Sequence, residues 1–269
     1  MIGAACQTDR PRYAEPAVTE NRLHLIHAPG DNFKFLVVGA GRGGTSLLAG
    51  LLDYHSELEV GFELFSVPNL LGQELHPQDS EIFHERVTAF VSACRQEANR
   101  YPTAQWGNKI TTEQIHGLED HNLANPQSKV EILDAFFNDY LKHVKVIFVL
   151  RDGRACVNSK VRRTGQPIMT ACERWRYSVQ CYKFLSNRHA NNVCVRFEDI
   201  LLHPQTVLTR VCGFLGISYE QEMLNGVRNR KMLPEYQGEK LDTAKAEPVE
   251  LPDNCFRMIE DDLKYCGYI

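Results

Sequence analysis

The chain has 269 residues, 43% apolar and 24% charged, and a formal net charge of −4. That length buries a sizeable core, and the charge gives no case for a nucleic-acid or membrane-surface protein. No run approaches the ~18 apolar residues of a membrane span. Residues 1–30 hold Asp9, Arg10, Arg12, Glu15 and Glu20 without an apolar stretch, so no secretory signal is read there. The nine cysteines are scattered, odd in number and without a C-x-x-C pair, which predicts reduced, buried thiols in a cytoplasmic protein. No His/Cys cluster has metal-ligand spacing, so no metal is expected.

In chain order, residues 1–32 are polar, carry Pro11, Pro16 and Pro29, and read as an N-terminal arm; 33–269 read as one α/β domain. Residues 35–38 form an apolar strand. The turn Gly39-Ala40-Gly41-Arg42-Gly43-Gly44 follows, and a helix opens at Thr45 and Ser46 and runs through Leu47, Leu48, Leu51 and Leu52. A short strand at Leu58-Glu59-Val60 leads to Glu63, and residues 64–79 are irregular. Residues 80–99 predict an amphipathic helix capped by Asp79 or Ser80. Residues 104–106 predict a short strand ending at Gly107-Asn108-Lys109, and 126–143 a helix with an apolar stripe. The run VKVIFVL at 144–150 has the character of a central parallel strand buried on both faces. Arg151 stands at its end, followed by a helix to about Arg163 and a second helix over 169–188 carrying Trp175. A strand at 193–197, a helix from Pro204 to Phe214, a polar loop-like stretch over 223–252 and a last helix over 255–265 complete the chain.

Alternating strands and helices predict an α/β fold with a parallel sheet, in which ligands bind beyond the carboxyl ends of the strands. Arg42, Glu63, Lys109 and Arg151 each stand at such an end. A strand, glycine loop and helix in that order present backbone N–H groups and a positive helix end to an anion. Read as a plain turn, the glycines would only let a helix pack closely on a strand. The cation inside the turn and the hydroxyl pair after it argue for anion binding.

The loop meets three templates. Gly39, Gly41 and Gly44 fit G-x-G-x-x-G, the dinucleotide fingerprint. Gly39, Gly44 and Ser46 fit the triphosphate loop, but Thr45 stands where that loop needs its lysine. Arg42-Gly43-Gly44-Thr45-Ser46, directly after a strand, resembles the 5′-phosphosulfate loop of sulfotransferases that use 3′-phosphoadenosine 5′-phosphosulfate (PAPS). Arg151 with Ser159 eight positions later resembles the 3′-phosphate motif of the same family; arginine offers a planar fork to phosphate oxygens. Val195-Arg196-Phe197-Glu198-Asp199-Ile200 and the segment from Pro204 to Ile217 resemble another family stretch, with Phe197 where tyrosine is usual.

This resemblance implies a P-loop-like three-layer fold with a central parallel sheet flanked by helices. It also implies transfer of a sulfuryl group from PAPS, without a metal, to an acceptor hydroxyl or amine. Arg42, Gly43, Gly44, Thr45 and Ser46 would hold the phosphosulfate, and Arg151 and Ser159 the 3′-phosphate. Lys109, in WGNKIT, is similar to a lysine of bacterial and tyrosylprotein members, and with Arg42 would stabilise charge. Thr111 stands where the cytosolic branch has its basic histidine, whereas Glu63 matches the glutamate base of the tyrosylprotein and bacterial branch. The chain departs from the pattern at Ala40-Gly41, at Gly43 in place of serine, and in lacking the C-terminal R-K-G motif; Arg228, Arg230, Lys231 and Lys240 are candidates to replace its charge. The expected acceptor is a small molecule or a carrier-bound hydroxyl, and the oligomeric state stays open.

Two other readings compete. A dinucleotide oxidoreductase would use Gly39, Gly41 and Gly44 with Glu59 or Glu63 on the ribose, but leaves Arg42, Arg151 and Ser159 unexplained. A nucleotide-binding relative without transfer activity would not need Arg42, Lys109 and Glu63 together.

Overall fold

The computed structural model describes residues 31–72 and 82–269. The N-terminal arm up to residue 30 and the helix cap at Asp79 or Ser80 lie outside the described residues. Five strands form one sheet: β1 (Phe33–Gly39), β2 (Leu58–Phe62), β3 (Gln105–Lys109), β4 (Lys145–Leu150) and β5 (Asn192–Arg196). Their order is β2-β3-β1-β4-β5, and every pairing is parallel.

Both faces of the sheet are covered, and the side chains divide by the two-residue period of a strand. Leu36, Val38, Val146, Phe148 and Leu150 enter one core with Trp106 and Trp175. Phe35, Val37, Ile147 and Val149 enter the other with Leu48, Leu52 and Phe197. Phe33 shares the face of Leu36 rather than of Phe35, because the register of β1 on β3 slips between Phe33 and Phe35. Helix α1 (Thr45–Leu52) packs on the second face, and α2 (Ile82–Ala98) on the first.

Beyond β3 comes the short helix α3 (Thr112–His116); α4 (Gly153–Thr164) and α5 (Ile168–Arg188) follow β4. Asp152 caps α4 by accepting from the Arg154 N–H at 2.9 Å. After β5 run α6 (Phe197–Leu202) and α7 (Pro204–Leu215), and α8 (Asp253–Tyr265) packs against α5.

Four sequence expectations shift. The stretch over 64–79 is not irregular throughout, since Val67–Leu71 winds as a π-helix. β3 contains Gly107, Asn108 and Lys109 instead of stopping before them, because a Cβ at Gly107 would overlap the Phe35 ring that lies over it. The helix expected over 126–143 is helical only from Ile132, and Ala135–Tyr140 is wound as a wider π-helix. The loop-like stretch over 223–252 holds 3₁₀ turns at Gln221–Arg228, Pro234–Tyr236 and Thr243–Ala246.

The order also disposes of the dinucleotide reading on physical grounds. In that fold the ribose-binding acid follows the strand beside β1. Here β3 lies between β1 and β2, and Glu59 of β2 is ion-paired with Lys231 at 2.5 Å.

Candidate active site

The chain leaves β1 for β2 and β3 on one side and for β4 on the other, so the crevice at the carboxyl end of β1 is the topological switch point. A cavity of about 870 Å³ opens there. Arg42, Gly44, Thr45, Ser46, Glu63, Lys109, Arg151 and Ser159, all singled out in the sequence, line it. Gly43 does not; it is buried in the turn, its N–H donating to the Ala40 carbonyl at 2.7 Å.

The glycine loop is built on two left-handed residues. Gly44 (φ 94°) precedes α1, and a Cβ there would overlap the Phe197 ring. Arg42 (φ 71°) has the same handedness, which costs a non-glycine residue about 1–2 kcal/mol. That backbone carries its side chain to Ser159, whose Oγ accepts from Arg42 Nε at 3.0 Å. Arg42 Nη1 donates to the Tyr236 hydroxyl, and the guanidinium stands 4.7 Å from the centre of the Tyr236 ring.

Glu63 is also left-handed (φ 57°), and its N–H donates to the Lys109 carbonyl at 2.7 Å. The β2–β3 register places Phe62 opposite Lys109, so Glu63 emerges beside that lysine. Lys109 Nζ pairs with Glu63 Oε1, and Gln114 Nε2 donates to Glu63 Oε2 at 2.8 Å. Gln114 is itself fixed, since its Oε1 accepts from the Thr111 N–H at 2.8 Å. Lys109 is 4% exposed, while the Glu63 side chain retains 35% exposure, leaving the carboxylate open toward the cavity.

Arg151 lies 4.2 Å over the Phe197 ring and donates from Nη1 to the Arg42 carbonyl at 2.8 Å. Asp152 does not pair with it; that carboxylate is taken by Arg154. The buried Nε of Arg151 has no hydrogen-bond partner among the described residues. A buried, unsatisfied cationic donor fits an anionic ligand. Ser159 stands with Arg42, so the two halves of the predicted nucleotide site meet at one hydrogen bond. Trp175 lies in the core, packs on Gly153 and donates from Nε1 to the Arg151 carbonyl at 3.2 Å, steadying the end of β4. His55 is a turn residue whose Nε2 lies 2.6 Å from the Ser218 carbonyl.

Sequence reasoning did not find several residues. Glu113 accepts from the Gly41 N–H at 2.8 Å and pairs with Lys160, and both line the cavity. Burial, Arg174 and Arg42 press the Lys160 ammonium down to about 7, while contact with the Glu113 carboxylate acts the other way. Gln114 had a signal in the Thr111-x-x-Gln114 spacing of a capping box. Among the C-terminal cations, Lys231 is held by Asp53 at 2.7 Å and by Glu59, and Arg151 Nη2 reaches the Lys245 carbonyl at 3.4 Å.

A strand-end glycine loop with an arginine inside it faces a second arginine at the end of the neighbouring strand β4, across the switch point of an α/β sheet. Residues 35–221 match the model of the sulfotransferase family, and the chain belongs to that family. It is 24% identical over 196 residues to a protein-tyrosine sulfotransferase of Drosophila melanogaster, covering 70% of this chain and 38% of that protein. It is 24% identical over 206 residues to protein-tyrosine sulfotransferase A of Caenorhabditis elegans, covering 70% of this chain and 50% of that one. The chain thus spans at most half the length of these two relatives. The sulfotransferase domain of the Synechococcus PCC 7002 olefin synthase shares the fold, with a TM-score of 0.58 at 18% identity over 96% of this chain and 98% of that one. The sulfotransferase domain of the curacin biosynthetic pathway does so with a TM-score of 0.57 at 18% identity over 85% and 96%.

The cytoplasmic location expected from the cysteines is not supported, since the curated relatives are named protein-tyrosine sulfotransferases. The cysteines of the described residues are free thiols. Burial alone accounts for thiols such as Cys156, which it pushes up to about 12, so they carry no information about compartment. No helix among the described residues is long and apolar enough to cross a membrane.

Proposed function

We propose that this site transfers a sulfuryl group from PAPS to an acceptor hydroxyl, with Glu63 as the general base. The observation that carries the proposal is the convergence of Arg42, Lys109 and Glu63 from the ends of β1, β3 and β2 on one cavity. The acceptor O–H gives its proton to Glu63 as its oxygen bonds to sulfur. The bond between sulfur and the bridging oxygen of the 5′-phosphate breaks in line, and 3′,5′-ADP departs with the electron pair. Arg42 and Lys109 offset the charge that gathers on the bridging and equatorial oxygens, as in phosphoryl transfer. Arg42, Gly44, Thr45 and Ser46 face the phosphosulfate, and the unpartnered Nε of Arg151 supports its assignment to the 3′-phosphate. The curated relatives are named for protein tyrosine, so a tyrosine phenol is the first acceptor to try, ahead of a small-molecule or carrier-bound hydroxyl.

The test compares thermal stabilisation by 3′,5′-ADP, 5′-AMP, ATP with magnesium, and NAD(P). A ligand at about 100 times its Kd adds about 2.7 kcal/mol to the folded state. The proposal expects 3′,5′-ADP to stabilise most and without metal, and labelled sulfate to pass from PAPS to a tyrosine-containing peptide. Stabilisation by NAD(P) or Mg-ATP instead would overturn it, and nucleotide binding with no transfer to any hydroxyl would leave a binding relative.

A further inference from the structure

The loop read as an anion site has a carboxylate against it. Glu113 Oε2 accepts from the Gly41 N–H at 2.8 Å, and Glu113 is packed so closely that a Cβ on Gly41 would sit 2.9 Å from Oε1. An anionic side chain beside Arg42 opposes a phosphosulfate unless its charge is answered. The answer comes from α4: Lys160 Nζ pairs with Glu113 Oε1, and the two side chains are only 8% and 14% exposed. Lys160 directly follows Ser159, which holds Arg42 at 3.0 Å. One ion pair therefore joins the loop after β1, the helix after β3 and the helix after β4, and it lines the same cavity as Arg42.

We infer that Glu113 and Lys160 are a positioning pair for the sulfuryl donor: Glu113 fixes the Gly41 amide and so the trajectory of Arg42, while Lys160 cancels the charge that Glu113 would otherwise present to the anionic nucleotide. The inference rests on the donor reading proposed above. Neither residue touches the reacting atoms in this account. Their effect is on donor affinity, and it is electrostatic. That separates the pair from ordinary packing, because loss of one charge should be repaired by loss of the other.

The experiment measures the Kd of 3′,5′-ADP by calorimetry at low and at physiological salt. The proteins are wild type, Lys160→Met, Glu113→Gln and the double variant. Lys160→Met leaves an uncancelled carboxylate on the loop and is expected to bind at least tenfold more weakly, with the larger loss at low salt. Glu113→Gln keeps an acceptor for Gly41 and is expected to stay within about threefold of wild type. The double variant is expected to recover to within about threefold as well. If Lys160→Met does not fold, Lys160→Gln, which keeps a hydrogen bond to Glu113 without the charge, carries the same comparison. Wild-type affinity in the lysine variant, or a double variant as weak as the single one, overturns the inference. Wild type that fails to bind 3′,5′-ADP overturns the proposed function and this inference with it.

Discussion

Gln114 and Glu63 are joined by a 2.8 Å hydrogen bond, Nε2 donating to Oε2, while Lys109 holds the other carboxylate oxygen. Two of the four lone-pair directions of the carboxylate are thus spent on orientation, and the side chain is open on its cavity side. In the role proposed for it, a carboxylate held in this way would need no reorganisation to accept a proton from an acceptor hydroxyl that reaches it.

Glu63→Gln keeps the shape and the size of this side chain but cannot take a proton. Turnover is expected to fall by roughly 10²–10⁴-fold, the range of general-base contributions. Binding of 3′,5′-ADP, measured by calorimetry, should change by less than about threefold. A variant that keeps its turnover would remove Glu63 as the base.

Arg151→Ala tests the other end of the nucleotide. The charge-assisted bonds lost are worth roughly 1.5–3 kcal/mol, so 3′,5′-ADP should bind about 10–150-fold more weakly. The affinity of 5′-AMP should stay within about threefold of wild type. Equal losses for the two nucleotides would refute the 3′-phosphate assignment and would instead make Arg151 a brace for the Arg42 carbonyl, which it reaches at 2.8 Å.

Gly44 and Gly216 both have a positive φ, of 94° and 88°, but only Gly44 faces a ring, that of Phe197; nothing lies within 4 Å of a Cβ on Gly216. Gly216→Ala should cost the left-handed strain alone, about 1–2 kcal/mol. Gly44→Ala adds the overlap with Phe197, for a total of about 2–5 kcal/mol. It should also shift the ring beneath Arg151 and weaken 3′,5′-ADP binding. Urea unfolding of the two variants gives the difference; equal destabilisation would mean that Phe197 yields freely and does not hold Arg151.

What the sequence makes legible follows from locality. β1, its glycine loop and α1 are contiguous, so an apolar run, a turn and a helical period announce them in order. β4 is equally plain because both of its faces are buried, which leaves an apolar run rich in β-branched residues after Lys145. β3 is obscure because QWGNK owes its place to its neighbours. Gly107 makes room for Phe35, and the buried Asn108 accepts from the Leu64 N–H at 3.3 Å and donates to its carbonyl at 2.8 Å. That exchange pins the segment after Glu63 and leaves no local pattern. Glu113 and Lys160 are 47 positions apart and meet only because two helices converge on one loop. Tyr236 is harder still, lying 194 positions beyond Arg42 in a polar stretch without periodicity.

Tyr236→Phe isolates what that stretch does. The turns Pro234–Tyr236 and Thr243–Ala246 contain no buried residue, so the segment opens at low cost. It is nonetheless tied to the site: Glu235 pairs with Arg163 at 2.5 Å, and the Tyr236 hydroxyl takes the Nη1 donor of Arg42. A donor phosphate that needs the same N–H must displace the hydroxyl, and the charge-assisted bond given up is worth about 1.5–3 kcal/mol. Removing the hydroxyl while keeping the ring should therefore tighten 3′,5′-ADP binding by up to roughly 10–150-fold, with a matching loss of stability in the ligand-free protein. Weaker binding by the variant would show that Tyr236 joins the ligand instead of giving way to it, and that the segment closes over the nucleotide with its contact to Arg42 intact.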